Sequence, residues 1–258
     1  MDPHMPLKGK KAIVTGGGES IGKSIALGLA KAGADIVIQY RSDSSEERAL
    51  HTVADIKKMG RFAIAIKSNF MEKNAPEALI SSAILALKTP DILVNCAAAY
   101  EYSLLLDITP EAFAMIQKIN VEIPLRLIQA FSRDLINRKA TGSIINISSF
   151  FSIRPALGNT LIACSKAALN SLTQCAALEL GPHQIRVNGI APGRTETPSN
   201  QVMMKQDPLA WQAIIDRIPI GRAGLPDDYA GLAVLLASDA SSYITGTTIV
   251  CDGGFTIG

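Results

Sequence analysis

Short runs of apolar residues alternate with longer amphipathic ones almost from end to end of the chain. Lys11–Thr15 (KAIVT), Asp35–Tyr40 (DIVIQY), Phe62–Lys67 (FAIAIK), Asp91–Asn95 (DILVN), Ser143–Ser148 (SIINIS), Ile185–Ala191 (IRVNGIA) and Thr248–Cys251 read as strands. Their apolar character is continuous, not alternating, which means burial on both faces, as in a parallel sheet covered by helices. The stretches between them carry helix punctuation. Ile21–Ala32 is stopped by Gly33 and Ser44–Met59 by Gly60, each a residue that ends a helix in a left-handed conformation at little cost. Pro76 opens another helix, Thr109-Pro110 caps a long one running to Arg138, and Asn159–Leu180 ends at Gly181-Pro182. Repeated strand–helix–strand units with right-handed crossovers predict an α/β fold with one Rossmann-type, doubly wound parallel sheet. No internal repeat, low-complexity tract or composition break marks a second domain, so residues 6–258 are read as one. Gly193–Ile218 is the long stretch without a clear period. Its prolines, Met203, Met204 and Trp211 suggest a mobile, partly apolar lid.

Composition agrees with this picture. A chain of 258 residues with 48% hydrophobic and 19% charged residues can bury a large core and is not of disordered type. Lysine and arginine number 25 against 23 acidic residues, so charge gives no case for nucleic acid or membrane surfaces as partners. No apolar run approaches the ~20 residues a membrane helix needs. Met1–Met5 has no apolar signal-peptide core and reads as an appended remnant ahead of a second Met. Cys96, Cys164, Cys175 and Cys251 are scattered without Cys-x-x-Cys spacing. Reduced, mostly buried thiols in a cytoplasmic protein are expected, and no metal site.

The first strand runs straight into Thr15-Gly16-Gly17-Gly18-Glu19-Ser20-Ile21-Gly22 and then a helix. Glycines there permit a tight turn and let the backbone approach a pyrophosphate seated on the helix N-terminus. A strand before and a helix after make this a dinucleotide-binding signal. The segment resembles the Thr-Gly-x-x-x-Gly-x-Gly loop of the short-chain dehydrogenase/reductase family, with Ser20 where the middle glycine is usual. Asn95-Cys96-Ala97-Ala98 is similar to that family's Asn-Asn-Ala-Gly, Ile145–Ser149 to its serine strand, Ala191-Pro192-Gly193 to its Pro-Gly turn and Asp252-Gly253-Gly254 to its C-terminal strand ending. The resemblance implies that Gly16, Ser20, Ile21, Gly22, Asn69, Asn95, Ala97 and Thr197 lie along the cofactor, with Asn69 at the adenine and Thr197 near the nicotinamide. It also implies a homo-oligomer, a tetramer, acting on a small-molecule substrate. At the end of the second strand stand Gln39-Tyr40-Arg41-Ser42, with no carboxylate before Asp43. Arg41 can meet a 2′-phosphate, which favours NADP(H), with NAD(H) as the alternative.

The family's chemistry uses a serine, a tyrosine, a lysine one helical turn after it, and an asparagine. Ser149, Lys166 and Asn120 match three of these positions, with Lys166 also a ribose ligand. Ile162 stands four residues before Lys166, where the tyrosine belongs. The flanking Ala163-Cys164-Ser165-Lys166-Ala167-Ala168-Leu169 fixes the register, and no tyrosine occurs between Tyr102 and Tyr229. Tyr100 and Tyr102, Cys164, Cys96, His183, Lys166 itself and a water held by Ser149 and Asn120 are the other proton sources to weigh. Tyr100 and Tyr102 are expected to pack on the lid, Cys164 to lie in the core, Cys96 to be structural and His183 to lie at the surface. Phe150, Phe151 and Ile153 suit an apolar pocket or core packing equally well. The expected activity is an NAD(P)(H)-dependent oxidoreductase for a carbonyl or alcohol. An isomerase or lyase using Ser149 and Lys166, or a cofactor-binding subunit without turnover, are the alternatives.

Overall fold

The structure is a computed structural model that describes residues 5–258, without the side chains of Ser199, Val202 and Met203. The expectation for Met1–Met5, apart from Met5, and that for the Met203 side chain therefore lie outside the described residues. Seven strands form among the described residues: β1 (Lys11–Thr15), β2 (Asp35–Tyr40), β3 (Ala63–Lys67), β4 (Ile92–Asn95), β5 (Gly142–Ile147), β6 (Ile185–Pro192) and β7 (Thr248–Cys251). All pair in parallel in the order 3-2-1-4-5-6-7. Every strand lies within one residue of its expected bounds, and so do α1 (Ser20–Lys31), α2 (Asp43–Lys58) and α6 (Thr160–Leu180).

The two faces explain why the strands lack alternation. Ala12, Val14, Ile36, Ile38, Val94 and Ile145 pack under α1, α2 and α9 (Ala230–Ala237) through Ile25, Leu29, Ile56 and Leu236. Their neighbours Ile13, Val37, Leu93 and Ile144 point the other way. They meet Leu79 and Ile80 of α3 (Ala75–Leu87), and Leu127 and Phe131 of α5 (Ile123–Asn137). Successive strand residues face opposite sides, so a sheet covered twice demands an apolar residue at every step.

Two expectations about elements are corrected. The long helix from Pro110 is not uniform: α4 (Pro110–Gln117) passes through a π turn at Lys118–Glu122 before α5. Pro124 has no N–H to give to the carbonyl four residues back, that of Asn120, so regular α-helical bonding cannot run through this point. Gly193–Ile218 is also not irregular. It holds α7 (Pro198–Gln206) and α8 (Pro208–Ile215), with the Asp207 side chain capping α8 by accepting from the Ala210 N–H at 2.9 Å and Trp211 buried beneath.

The cysteine expectation is corrected as well. Cys164 and Cys175 are exposed and Cys96 and Cys251 half-buried, all with free thiols. Cys164 is not a core residue because the phase of α6 turns Ala163, Ser165 and Lys166 inward and leaves it outside.

Close approach of α1 and α9 is set by Gly28, where a Cβ would lie 2.8 Å from the Ala230 Cβ. We predict that Gly28→Val wedges these helices apart and lowers stability by about 1–3 kcal/mol. A fall in the urea midpoint at unchanged slope is the expected outcome, and an unchanged midpoint would contradict it.

Candidate active site

The chain leaves β1 toward β2 and β3, then returns to β4 on the other side of β1. That reversal opens a crevice above the carboxyl ends of β1 and β4. Thr15 ties its floor together: Oγ1 donates to the Val94 carbonyl at 3.3 Å and accepts from the N–H groups of Cys96 and Ala97 at 2.9 and 3.0 Å. Gln39 holds the glycine turn from the β2 side. Its Oε1 accepts from the Gly16 N–H at 2.9 Å and its Nε2 donates to the Ser68 carbonyl at 2.7 Å.

The turn is closed so tightly that a Cβ at Gly22 would collide with the Gly16 carbonyl oxygen. Ser20 takes the left-handed conformation at φ +50°, which costs about 1–2 kcal/mol for a residue with a Cβ. Glu19 makes no side-chain bond to the first turn of α1, so those N–H groups remain available to an anion. Ile21 is half-buried beside them. This cradle fits a dinucleotide pyrophosphate.

Past β2, Arg41 is exposed and joins no ion pair among the described residues. Ser42 caps α2 reciprocally with Ser45, and the first carboxylate, Asp43, is taken by Lys67 at 2.5 Å. Asn69 accepts from the Met71 N–H at 3.2 Å in the turn after β3. Thr197 sits before α7 and accepts from the Asn200 N–H at 3.3 Å. Asn95 lies deeper: its Nδ2 donates to Asn146 at 2.8 Å, and Asn146 donates to Thr173 at 2.9 Å, joining β4, β5 and α6. Its Oδ1 is buried without a partner.

Ser149, Lys166 and Asn120 are brought to the same edge. Ser149 follows β5 and caps a short 3₁₀ turn, accepting from the Phe151 N–H at 3.2 Å. Lys166, only 4% exposed, donates from Nζ to the Ile147 carbonyl at 2.7 Å, two residues before Ser149. Burial pushes its pKa down from 10.5 to about 8, with Cys96 acting weakly in the opposite sense. Burial also lifts the Cys96 thiol to about 11, so it is no nucleophile at neutral pH. Asn120 sits in the π turn, fully buried. It accepts from the Ala99 N–H at 2.8 Å and donates to the Ala99 carbonyl and to Ser165 Oγ, both at 3.0 Å.

Ile162 is one helical turn before Lys166 and packs with Phe150, Phe151, Ala163, Ile218 and Phe255. Tyr100 donates to Asn159 Oδ1 at 2.9 Å, and burial raises its pKa. The Tyr102 ring covers Gly158 so closely that no Cβ would fit there. With Ser103 bridged to Asn159, the two tyrosines clamp the loop that enters α6, not the α7–α8 segment expected to form a lid. Ile153 is exposed, as is His183, which lies in the turn before β6 at the far edge of the sheet. A cavity of about 580 Å³ also opens at that far edge. Of its charged lining, Arg186 donates to Ser241 and Asp91 accepts from the Lys11 N–H. Sequence reasoning missed the clamp by Asn159, which no local pattern announces, and the use of Gln39 as a strut.

Lys166 has a folded-state pKa below its unfolded value, so the penalty for burying its charge is complete below pH 8 and fades toward pH 10.5. Lys166→Met should therefore stabilise the cofactor-free protein at pH 7, and by less at pH 10. Paired denaturant titrations at the two pH values measure this. A gap between variant and parent that does not narrow would overturn it.

A family profile described as enoyl-(acyl carrier protein) reductase matches residues 16–256. L-xylulose reductase of Bos taurus is 36% identical over 249 residues, covering 96% of this chain and 97% of that protein. A short-chain type dehydrogenase/reductase from Mycobacterium marinum superposes with a TM-score of 0.88 at 32% identity, covering 99% of this chain and 98% of the other. A 3-oxoacyl (acyl-carrier-protein) reductase from Agrobacterium tumefaciens C58, solved with NADP bound, gives 0.90 at 32% identity, covering 97% and 95%. With this sheet order, glycine turn and coverage, the chain belongs to the short-chain dehydrogenase/reductase family.

Proposed function

We propose that the protein is an NADP(H)-dependent oxidoreductase for a carbonyl or alcohol substrate, in which Ile162 stands at the family's acid–base tyrosine position. The observation that carries the reading is the buried Lys166, whose Nζ donates to the Ile147 carbonyl two residues before Ser149, at the carboxyl end of β5. A nicotinamide cofactor, when bound, supplies or accepts the hydride. Gly16, Ser20, Ile21 and Gly22 would hold its pyrophosphate, Arg41 and Ser42 the 2′-phosphate, and Asn69 the adenine. Asn95, Ala97, Thr197 and Lys166 would serve the nicotinamide half. The NADP in the Agrobacterium relative supports the cofactor class.

Reduction also needs a proton at the substrate oxygen. Ser149 keeps its hydroxyl hydrogen free to orient that oxygen, since its Oγ acts as acceptor toward Phe151. Lys166, with a pKa near 8, is mostly protonated at neutral pH and can pass a proton through a water held by Ser149, the Asn120 amide being spent on Ala99 and Ser165. Ile162 offers no proton. The apolar sealing of Ile162 favours a second reading, a cofactor-binding homologue without turnover.

NADPH should bind about tenfold or more tightly than NADH, the scale of one charge-assisted contact, and Arg41→Ala should erase the difference. Fluorescence titration of both cofactors tests this; equal affinities in the parent would refute it.

Ile162→Tyr should raise carbonyl reduction, by up to about 10²–10⁴-fold, the usual worth of a positioned acid–base group. In the parent, activity should fall as the pH rises through about 8, when Lys166 loses its proton. If Tyr100 is the donor instead, Tyr100→Phe should abolish turnover and Ile162→Tyr should change little. No turnover in either background with cofactor bound would select the second reading.

A further inference from the structure

Arg194 follows the Pro192-Gly193 turn at the carboxyl end of β6. Its guanidinium lies over the rings of Phe150 and Phe151, 5.3 and 5.0 Å from their centroids, and these rings come directly after Ser149. Nε is buried and has no hydrogen-bond partner. No carboxylate pairs with Arg194 among the described residues.

The comparison with the other half-buried arginines is sharp. Arg61 reaches carbonyls, Arg126 reaches Glu77, Arg138 reaches Asp134, Arg154 reaches the carbonyls of Phe255 and Gly258, and Arg186 reaches Ser241 and the Ser238 carbonyl. Arg194 alone among them has no side-chain hydrogen bond in the described structure. Burial lowers its pKa, and the Tyr100 phenol is the one titratable group acting in the opposite sense.

Arg194 is half-buried: its Nε is shut in, and its terminal N–H groups, which make no hydrogen bond in the described structure, are the ones that an anion can complete. Two aromatic faces hold the guanidinium, and such a plane presents a fork of N–H donors that matches a carboxylate. One arginine fork binds one carboxylate, and the other cation of this edge, Lys166, has its Nζ turned to the Ile147 carbonyl. We propose that Arg194 is the anchor for a substrate carboxylate, so that the substrate is a short oxo acid or the corresponding hydroxy acid. This rests on the carbonyl-oxidoreductase reading and names its substrate class.

The test uses the full chain with NADPH present and a series of unbranched oxo acids from 2-oxobutanoate to 5-oxohexanoate, each beside its methyl ester, with inorganic phosphate as a competitor. Binding is read by titration calorimetry. At least one acid should bind about tenfold or more tightly than its ester, the scale of a charge-assisted contact. Arg194→Met should remove the difference and Arg194→Lys should restore part of it. Equal binding of acids and esters by the parent, binding of none, or an acid preference that survives in Arg194→Met would overturn the proposal. Displacement of the acid by phosphate at lower concentration than the acid itself would overturn the carboxylate assignment. The parent's acid–ester comparison stands even if a variant fails to fold. Titrating NADPH into the chain alone, and repeating the acid–ester comparison without it, separates the two readings: a chain that prefers the acid but does not bind NADPH refutes the cofactor reading alone.

Discussion

A parallel sheet covered on both faces can place polar chemistry only at the ends of its strands. Ile13 and Val14, or Ile144 and Ile145, sit side by side on opposite faces, and each is shut away from water. The polar residues that do enter the interior, Asn95, Asn146 and Thr173, are chained by hydrogen bonds that fasten strand ends to α6. The crevice at the carboxyl edge lies where the strand order reverses, between β1 and β4. Everything that can react is gathered where the coverage stops.

The two cations of that edge respond differently to burial. Lys166 can shed its proton, and its depressed pKa is the expression of that freedom. Arginine keeps its charge at any pH a protein survives, so Arg194, with no carboxylate partner among the described residues, keeps that charge for a partner from outside. One basic group is thereby suited to proton traffic and the other to holding charge. Ile162 stands between these roles as an apolar filler, packed against the same phenylalanines that support Arg194.

The sheet and its major helices were legible because their signals are local. Continuous apolar runs mark strands buried twice, and Gly33 and Gly60 mark helix ends. The glycine turn was legible as a motif, though the collision that makes Gly22 obligatory needs the folded loop. The π turn was missed although its cause, Pro124, is written in the chain; the strong apolar period of α5 masked it. The helices of the expected lid were missed despite the Asp207-Pro208 start signal. Cys164 lies about 200° round α6 from Ile162, and the sequence separates those two faces without saying which one the core covers. Nothing local distinguishes Arg194 from a solvated arginine, since its isolation is a fact about partners absent from its surroundings in the fold.

The π turn has a genetic consequence. A π turn closes with one residue more than an α turn, so the additional residue at Lys118–Glu122 is absorbed where it stands, and Leu127, Phe131 and Leu135 keep the phase that seats them on the sheet. Loss of a single codon here, in frame, would return the segment to ordinary α turns and leave α5 on the core. The cost would fall on Asn120, which donates to Ser165 from within the widened turn. A change in length here is thus a change to the site and not to the scaffold.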